Sequence, residues 1–254
     1  DKEGYYPKRY GIDFYHTYKE DLKMLAETGM NSFRISINWA RIYPNGDDEQ
    51  PNEEGLQFYD DLIDEIRKNG MEPLVTLSHY EMPLHLATEY NGWYHRKTID
   101  FFVKYCETVM RRYKEKVKYW IVVNQINLIH HESFNHLGIP ADRVENLWEA
   151  KYQGIHHECT ASAIVTKIGH EINPDFQIGM MVYDGLSEPA TCKPEDVSAN
   201  RKRNQMEYFF SDLLMRGEYP GYALRFFKDH DIHLDIREED EKVLKENTAD
   251  FFSL

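Results

Sequence analysis

The chain has 254 residues, 41% of them hydrophobic, enough to bury a sizeable core. Its 44 acidic and 30 basic side chains give a formal net charge of −14, which argues against a nucleic-acid partner, because phosphate backbones call for clustered Lys and Arg. The cysteines, Cys106, Cys159 and Cys192, are odd in number and far apart, so they form no disulfide framework or Cys-x-x-Cys metal site and read as reduced thiols in a cytoplasmic protein.

The first expected element is a helix over 18–29, where Tyr18, Leu22, Leu25 and Ala26 share a face before Gly29. A strand follows at about 31–37, through Ser32-Phe33-Arg34-Ile35-Ser36-Ile37. Leu56, Tyr59, Leu62, Ile63 and Ile66 place a helix over 56–68. Pro73–Ser78 is a nearly continuous apolar strand, and Ile99, Phe102, Cys106, Val109 and Tyr113 give a helix over 97–114. A third strand is expected at about 117–124, a long helix over 146–172 and a fourth strand at about 176–183. Helices at about 200–216 and 221–229 precede a fifth strand at about 249–254. No apolar run approaches the ~18 residues of a membrane span, and the first residues lack a signal-peptide pattern.

Helices alternating with strands that are apolar on both faces describe an α/β protein with a helix-covered parallel sheet. An open doubly wound sheet satisfies that pattern too. Polar residues at the C-terminal strand ends, Ser36 and Asn38, Ser78 and His79, Asn124 and Gln125, favour a (β/α)8 TIM barrel, whose active sites are built there. Five strands are legible of the eight a barrel needs, and the first unit is a helix without a strand before it. With no linker or repeat, residues 1–254 read as one partial barrel domain, about strands 2 to 6. Either further chain closes such a barrel, or another copy in a homo-oligomer covers its edges.

Four segments go further. They are Phe33-Arg34-Ile35-Ser36-Ile37-Asn38-Trp39-Ala40-Arg41-Ile42-Tyr43-Pro44-Asn45-Gly46, Ser78-His79-Tyr80-Glu81-Met82-Pro83, Asn91-Gly92-Trp93 and Trp120-Ile121-Val122-Val123-Asn124-Gln125-Ile126-Asn127. In order and spacing they resemble glycoside hydrolase family 1, from the second barrel strand into the sixth. His79-Tyr80-Glu81-Met82-Pro83 and Pro44-Asn45-Gly46-Asp47 resemble its 6-phospho-β-glucosidase branch. The resemblance implies retaining hydrolysis of a phosphorylated β-glucoside to glucose 6-phosphate and an aglycone, with no cofactor. Retention requires two carboxyl groups about 5 Å apart, one acid/base and one nucleophile.

By that resemblance Arg34 holds the nucleophilic carboxylate ionised; the competing reading is a structural ion pair at the barrel mouth. His79 would bind sugar hydroxyls, as an imidazole both donates and accepts. Asn124 would bond the 2-hydroxyl, and Tyr80 and Trp93 would be substrate contacts or core aromatics. The family's nucleophilic Glu, its phosphate-gripping Ser and Lys and a sugar-holding Gln near the first strand match no position here.

Gln125 departs from the pattern, which has Glu as acid/base. An amide cannot deliver a proton to a glycosidic oxygen. Three accounts stay open: an engineered substitution, a natural enzyme whose leaving group needs no proton, as in the family's myrosinases, and a sugar-phosphate-binding protein without catalysis. Glu132 is a candidate substitute carboxylate. His130-His131 and His156-His157 lack metal-site spacing, because helix neighbours do not face one another. Neither a Gly-x-Gly-x-x-Gly nor a Walker phosphate loop occurs.

Overall fold

The computed structural model describes Gly4, residues 10–130 and residues 133–254, without the side chain of His130. Strands β1 (Ser32–Ser36), β2 (Glu72–Ser78), β3 (Tyr119–Val123), β4 (Gln177–Met181) and β5 (Phe251–Ser253) form one parallel sheet in chain order. Arg34 stands opposite Leu74, Thr76 opposite Ile121, and Gly179 opposite Phe251. The expected pairings and spans are therefore found to within a residue or two.

The helices are α1 (Phe14–Glu27), α2 (Trp39–Ile42), α3 (Glu53–Lys68), α4 (Leu84–Tyr90), α5 (Lys97–Tyr113), α6 (Phe134–Leu137), α7 (Leu147–Ile172), α8 (Pro194–Arg216), α9 (Gly221–Asp229) and α10 (Glu238–Glu246). Among the described residues none is long and apolar enough to cross a membrane. Asn52 and Asn146 cap α3 and α7 by accepting from backbone N–H groups of the first turn.

Alternation along the strands sorts the sheet into two faces. Ile35, Val75, Leu77, Trp120, Val122 and Ile178 are buried in the core shared with the helices. The opposite face carries Arg34, Ser36, Thr76, Ser78 and Ile121. Gly179 pairs with Ile121 on this face, and a Cβ there would stand 2.3 Å from the Phe251 ring, so the glycine lets the β5 aromatic lie over β4.

The C-terminal strand ends are fixed from the helix side. The buried Tyr105 hydroxyl of α5 lies 2.8 Å from both the Ile37 and the Leu77 carbonyl oxygens. Trp39 stacks on Tyr105 at 5.6 Å, so α2 is held against the same aromatic cluster. The loop after α4 is equally constrained. A Cβ on Gly92 would stand 2.2 Å from the Leu137 carbonyl oxygen, and its φ of 57° disfavours any side chain.

β1 and β5 form the two edges of the sheet. Beside β1 lies an open cleft of about 710 Å³ lined by Phe14, Tyr15, Phe33 and Phe58, and Phe252 on β5 is 44% exposed. Unpaired strand edges next to apolar surface template association. The polypeptide 1–254, expressed alone, is therefore expected to run above monomer mass in light scattering. A monodisperse monomer with one sharp thermal transition would overturn this expectation.

Candidate active site

The site forms where β1, β2 and β3 end. Arg34, on the face opposite the helices, donates through Nε to Thr76 Oγ1 at 2.9 Å and through Nη2 to Asn124 Oδ1 at 2.7 Å. Asn124 Nδ2 donates to the Tyr80 hydroxyl at 2.7 Å, and that hydroxyl donates to Gln125 Oε1 at 2.6 Å. Three strands thus contribute to one row of hydrogen bonds running Arg34, Asn124, Tyr80, Gln125. The His79 ring packs edge-on against Tyr80 at 5.2 Å, so His79 and Asn124 lie at the same end of the sheet.

Backbone shape assists. Tyr80 has φ of 72° and Gln125 φ of 44°, a left-handed conformation uncommon for residues with a side chain. Each turns the chain sharply just past a strand. The β3 turn is pinned to β4, because the Ile126 N–H donates to Met181 O at 3.1 Å and Asn127 Oδ1 accepts from the Tyr183 N–H at 2.7 Å.

The electrostatics follow from burial. Desolvation lowers the pKa of the Arg34 guanidinium, while the Tyr80 phenol opposes that shift. Desolvation raises the pKa of Tyr80, helped by Glu158 and opposed by the Asn124 hydrogen bond and Arg34, so it is a neutral donor at pH 7. Gln125 accepts through Oε1, and its Nε2 makes no hydrogen bond among the described residues. It lines an open cleft of about 1030 Å³ that runs from the end of β3 to α8 and α9. An amide there can hydrogen-bond a glycosidic oxygen but cannot protonate it.

Some sequence expectations change. Trp93 is not a mouth residue: only 2% exposed, its ring packs on Phe102 at 5.2 Å and Trp39 at 6.4 Å, and further chain could only bury it more. Its backbone carbonyl faces His157 Nδ1 at 2.8 Å. Asn38, one of the polar strand-end residues, caps α2 by accepting from the Arg41 N–H. His156 and His157 turn to separate partners, Tyr219 and Asp240 for the first, Trp93 and Gln153 for the second. His131 and Glu132 lie outside the described residues.

Sequence reading missed Thr76, the anchor of Arg34, because nothing in an apolar strand marks one hydroxyl. It also missed Glu207, whose Oε2 accepts from Asn127 Nδ2 at 2.7 Å inside the cleft.

The model of glycosyl hydrolase family 1 matches residues 2–254. The chain is 50% identical over 241 residues to an aryl-phospho-β-D-glucosidase, BglH, of Bacillus subtilis, covering 95% of this chain and 51% of that protein. It is 50% identical to a 6-phospho-β-glucosidase of Clostridium longisporum over 97% of this chain and 52% of that one. Among solved structures, the family 1 β-glucosidase of Thermotoga maritima superposes with a TM-score of 0.82 at 29% identity, over 94% of this chain and 53% of that one. The chain spans about half the length of these relatives. It belongs to glycosyl hydrolase family 1, and its five-stranded parallel sheet with flanking helices is part of that family's TIM barrel.

Proposed function

We propose that the protein carrying this chain hydrolyses 6-phospho-β-glucosides with retention, releasing glucose 6-phosphate and an aglycone. The observation that supports it most is the hydrogen-bonded row from Arg34 to Gln125, set at the strand ends of a chain half identical to proteins named for that activity. In this reading His79, Asn124 and Tyr80 contact sugar hydroxyls, Arg34 supports the nucleophilic carboxylate, and Gln125 occupies the acid/base position. The Asn124 amide is engaged at both ends, so a sugar hydroxyl would join or replace its bonds to Arg34 and Tyr80. Because Gln125 transfers no proton, the glycosidic oxygen leaves with its bonding electron pair and gains a proton from water afterwards. Such a path favours stabilised leaving groups such as phenoxides. The charge of a sugar phosphate keeps it from crossing bilayers, which supports a cytoplasmic location; a homo-oligomer is part of the same reading.

Gln125 also favours a second reading, a sugar-phosphate-binding protein that does not hydrolyse its ligand. The test compares 4-nitrophenyl 6-phospho-β-glucoside with its unphosphorylated counterpart, using the protein as its gene encodes it. The expected result is turnover of the phosphorylated substrate with kcat/KM at least roughly 10²-fold higher. Tight binding without turnover would favour the second reading. Equal turnover of both would remove the phosphate from the proposal.

A further inference from the structure

The cleft that begins at Gln125 carries an unusual balance of charge. Lys202 and Arg203 of α8 line it, and the adjoining groove between α8 and α9 adds Arg201 and Arg225. Across both, four cationic side chains face two carboxylates, Glu207 and Asp229, in a chain where acids outnumber bases 44 to 30. Some cations elsewhere find carboxylates: Arg96 pairs with Asp240, Arg112 and Lys116 share Asp60, and Lys245 meets Glu218. The four that line the cleft and the groove make no salt bridge among the described residues. Arg203 has Glu207 one helical turn away, the spacing of a favourable pair, yet that carboxylate is taken by Asn127 instead.

The walls of the cleft are aromatic. Tyr183 is 50% exposed there, and Phe226 lines both the cleft and the groove, stacked on His230 at 4.1 Å. Flat apolar walls suit a ring, and the cations beyond them suit a negative charge on it. Glu207 disfavours that charge, but its carboxylate is held by Asn127, which leaves Lys202 and Arg203 to receive it.

We propose that the cleft beside Gln125 binds an aryl leaving group bearing an anionic substituent, with its ring against Tyr183 and Phe226 and its charge on Lys202 and Arg203. The assignment rests on the glycosidase reading above and specifies the class of aglycone. It also accords with the amide at position 125: an aryl oxygen can leave as a phenoxide, and the cations lower the energy of negative charge developing in the cleft.

Two measurements test it, the first independent of any sugar. Titration of the protein with 4-hydroxybenzoate and 4-hydroxybenzamide is expected to show the carboxylate bound about five- to tenfold tighter, in keeping with two partly exposed ion pairs. That preference should shrink at high salt and vanish in the double variant Lys202→Ala, Arg203→Ala. Both substitutions fall on exposed helix positions, so the melting temperature should be unchanged. The second measurement compares kcat/KM for the 4-carboxyphenyl and 4-carbamoylphenyl 6-phospho-β-glucosides. The carbamoyl phenoxide is the better leaving group, so faster turnover of the carboxylate would report the cleft.

Equal binding of the two phenols, or a preference that survives the double variant, would overturn the inference. A carboxylate preference in binding without turnover of either glucoside would leave the cleft assigned and remove hydrolysis. Turnover with no binding preference would do the reverse.

Discussion

Replacing Gln125 by glutamate is expected to raise kcat/KM for alkyl 6-phospho-β-glucosides by roughly 10²–10⁴-fold, the usual worth of general acid–base assistance. The geometry favours a clean exchange. The Tyr80 hydroxyl that donates to Gln125 Oε1 at 2.6 Å would donate equally to a carboxylate oxygen. The second oxygen would take the place of Nε2, which has no competing bond among the described residues. Position 125 is partly buried at the mouth of the cleft, and burial disfavours a bare carboxylate, which is what a general acid near neutral pH requires. The gain should depend on the aglycone. Poor leaving groups such as methanol need the proton and should gain most; activated phenols need it little in the first step. A plot of log kcat/KM against leaving-group pKa should therefore be steep for the Gln form and nearly flat for the Glu form. The Glu form should also lose activity at alkaline pH as its acid ionises, a limb the Gln form lacks. If the Glu form turned over no faster on any substrate, the binding-protein reading of Gln125 would be favoured.

How much of this was legible in the sequence differs by element. The five strands were, because they are short apolar runs ending in polar residues, and local composition suffices to find them. Arg34, His79, Tyr80, Asn124 and Gln125 were legible through motif order. Their connection was not: Arg34 and Thr76 are 42 residues apart, Arg34 and Asn124 90 apart, and only the parallel register brings them together. Trp93 could be read either way, since an aromatic residue after Asn-Gly suits a loop or a core, and packing decided for the core. The expected start of α8 at about 200 was late, although Pro194, Glu195 and Asp196 are an ordinary helix opening. The helix α10 was missed for a physical reason. Glu238–Glu246 has little apolar face, with Val243 and Leu244 its only large hydrophobic residues, and its position comes from contacts made at a distance. The cationic cleft was equally hidden, because α8 and α9 meet only in the folded chain.

Those distant contacts carry the second large effect. Asp240 of α10 is only 1% exposed and has three hydrogen-bond partners. Arg96 reaches it in a two-point pair, with Nη1 to Oδ2 at 2.8 Å, His156 of α7 approaches through Nε2 at 3.0 Å, and the Arg237 N–H donates at 3.1 Å. Burial alone would raise the pKa of this carboxyl, but the bonds from His156, Arg96 and Arg237 outweigh it, and the group lies well below the usual carboxylate range. Asp240→Ala leaves Arg96 and His156 facing a void, and loss of one partner of a buried pair costs about 3–5 kcal/mol. Arg96 is partly exposed, so the lower end applies, a fall of several degrees in the melting temperature of the protein as its gene encodes it. The pH dependence separates Asp240 from its neighbour His157. Burial pushes His157 down to about 4 despite its bond to the Trp93 carbonyl, and the Gln153 amide faces its other nitrogen at 2.9 Å, where a second ring proton would have no acceptor. The unfolded chain therefore binds a proton that the folded chain refuses between about pH 6.5 and 4, and stability should fall through that window as pH is lowered. Asp240 acts further down: its contribution is whole above the ordinary aspartate pKa of about 3.9 and is lost as pH falls below that toward its depressed folded value. Urea unfolding midpoints across pH 2.5–8 should show both segments in the parent. Asp240→Ala should keep the slope between pH 6.5 and 4 and flatten the one below 4. If the variant unfolded at the parent's midpoint throughout, the clamp from α10 to α7 and Arg96 would not be holding the fold.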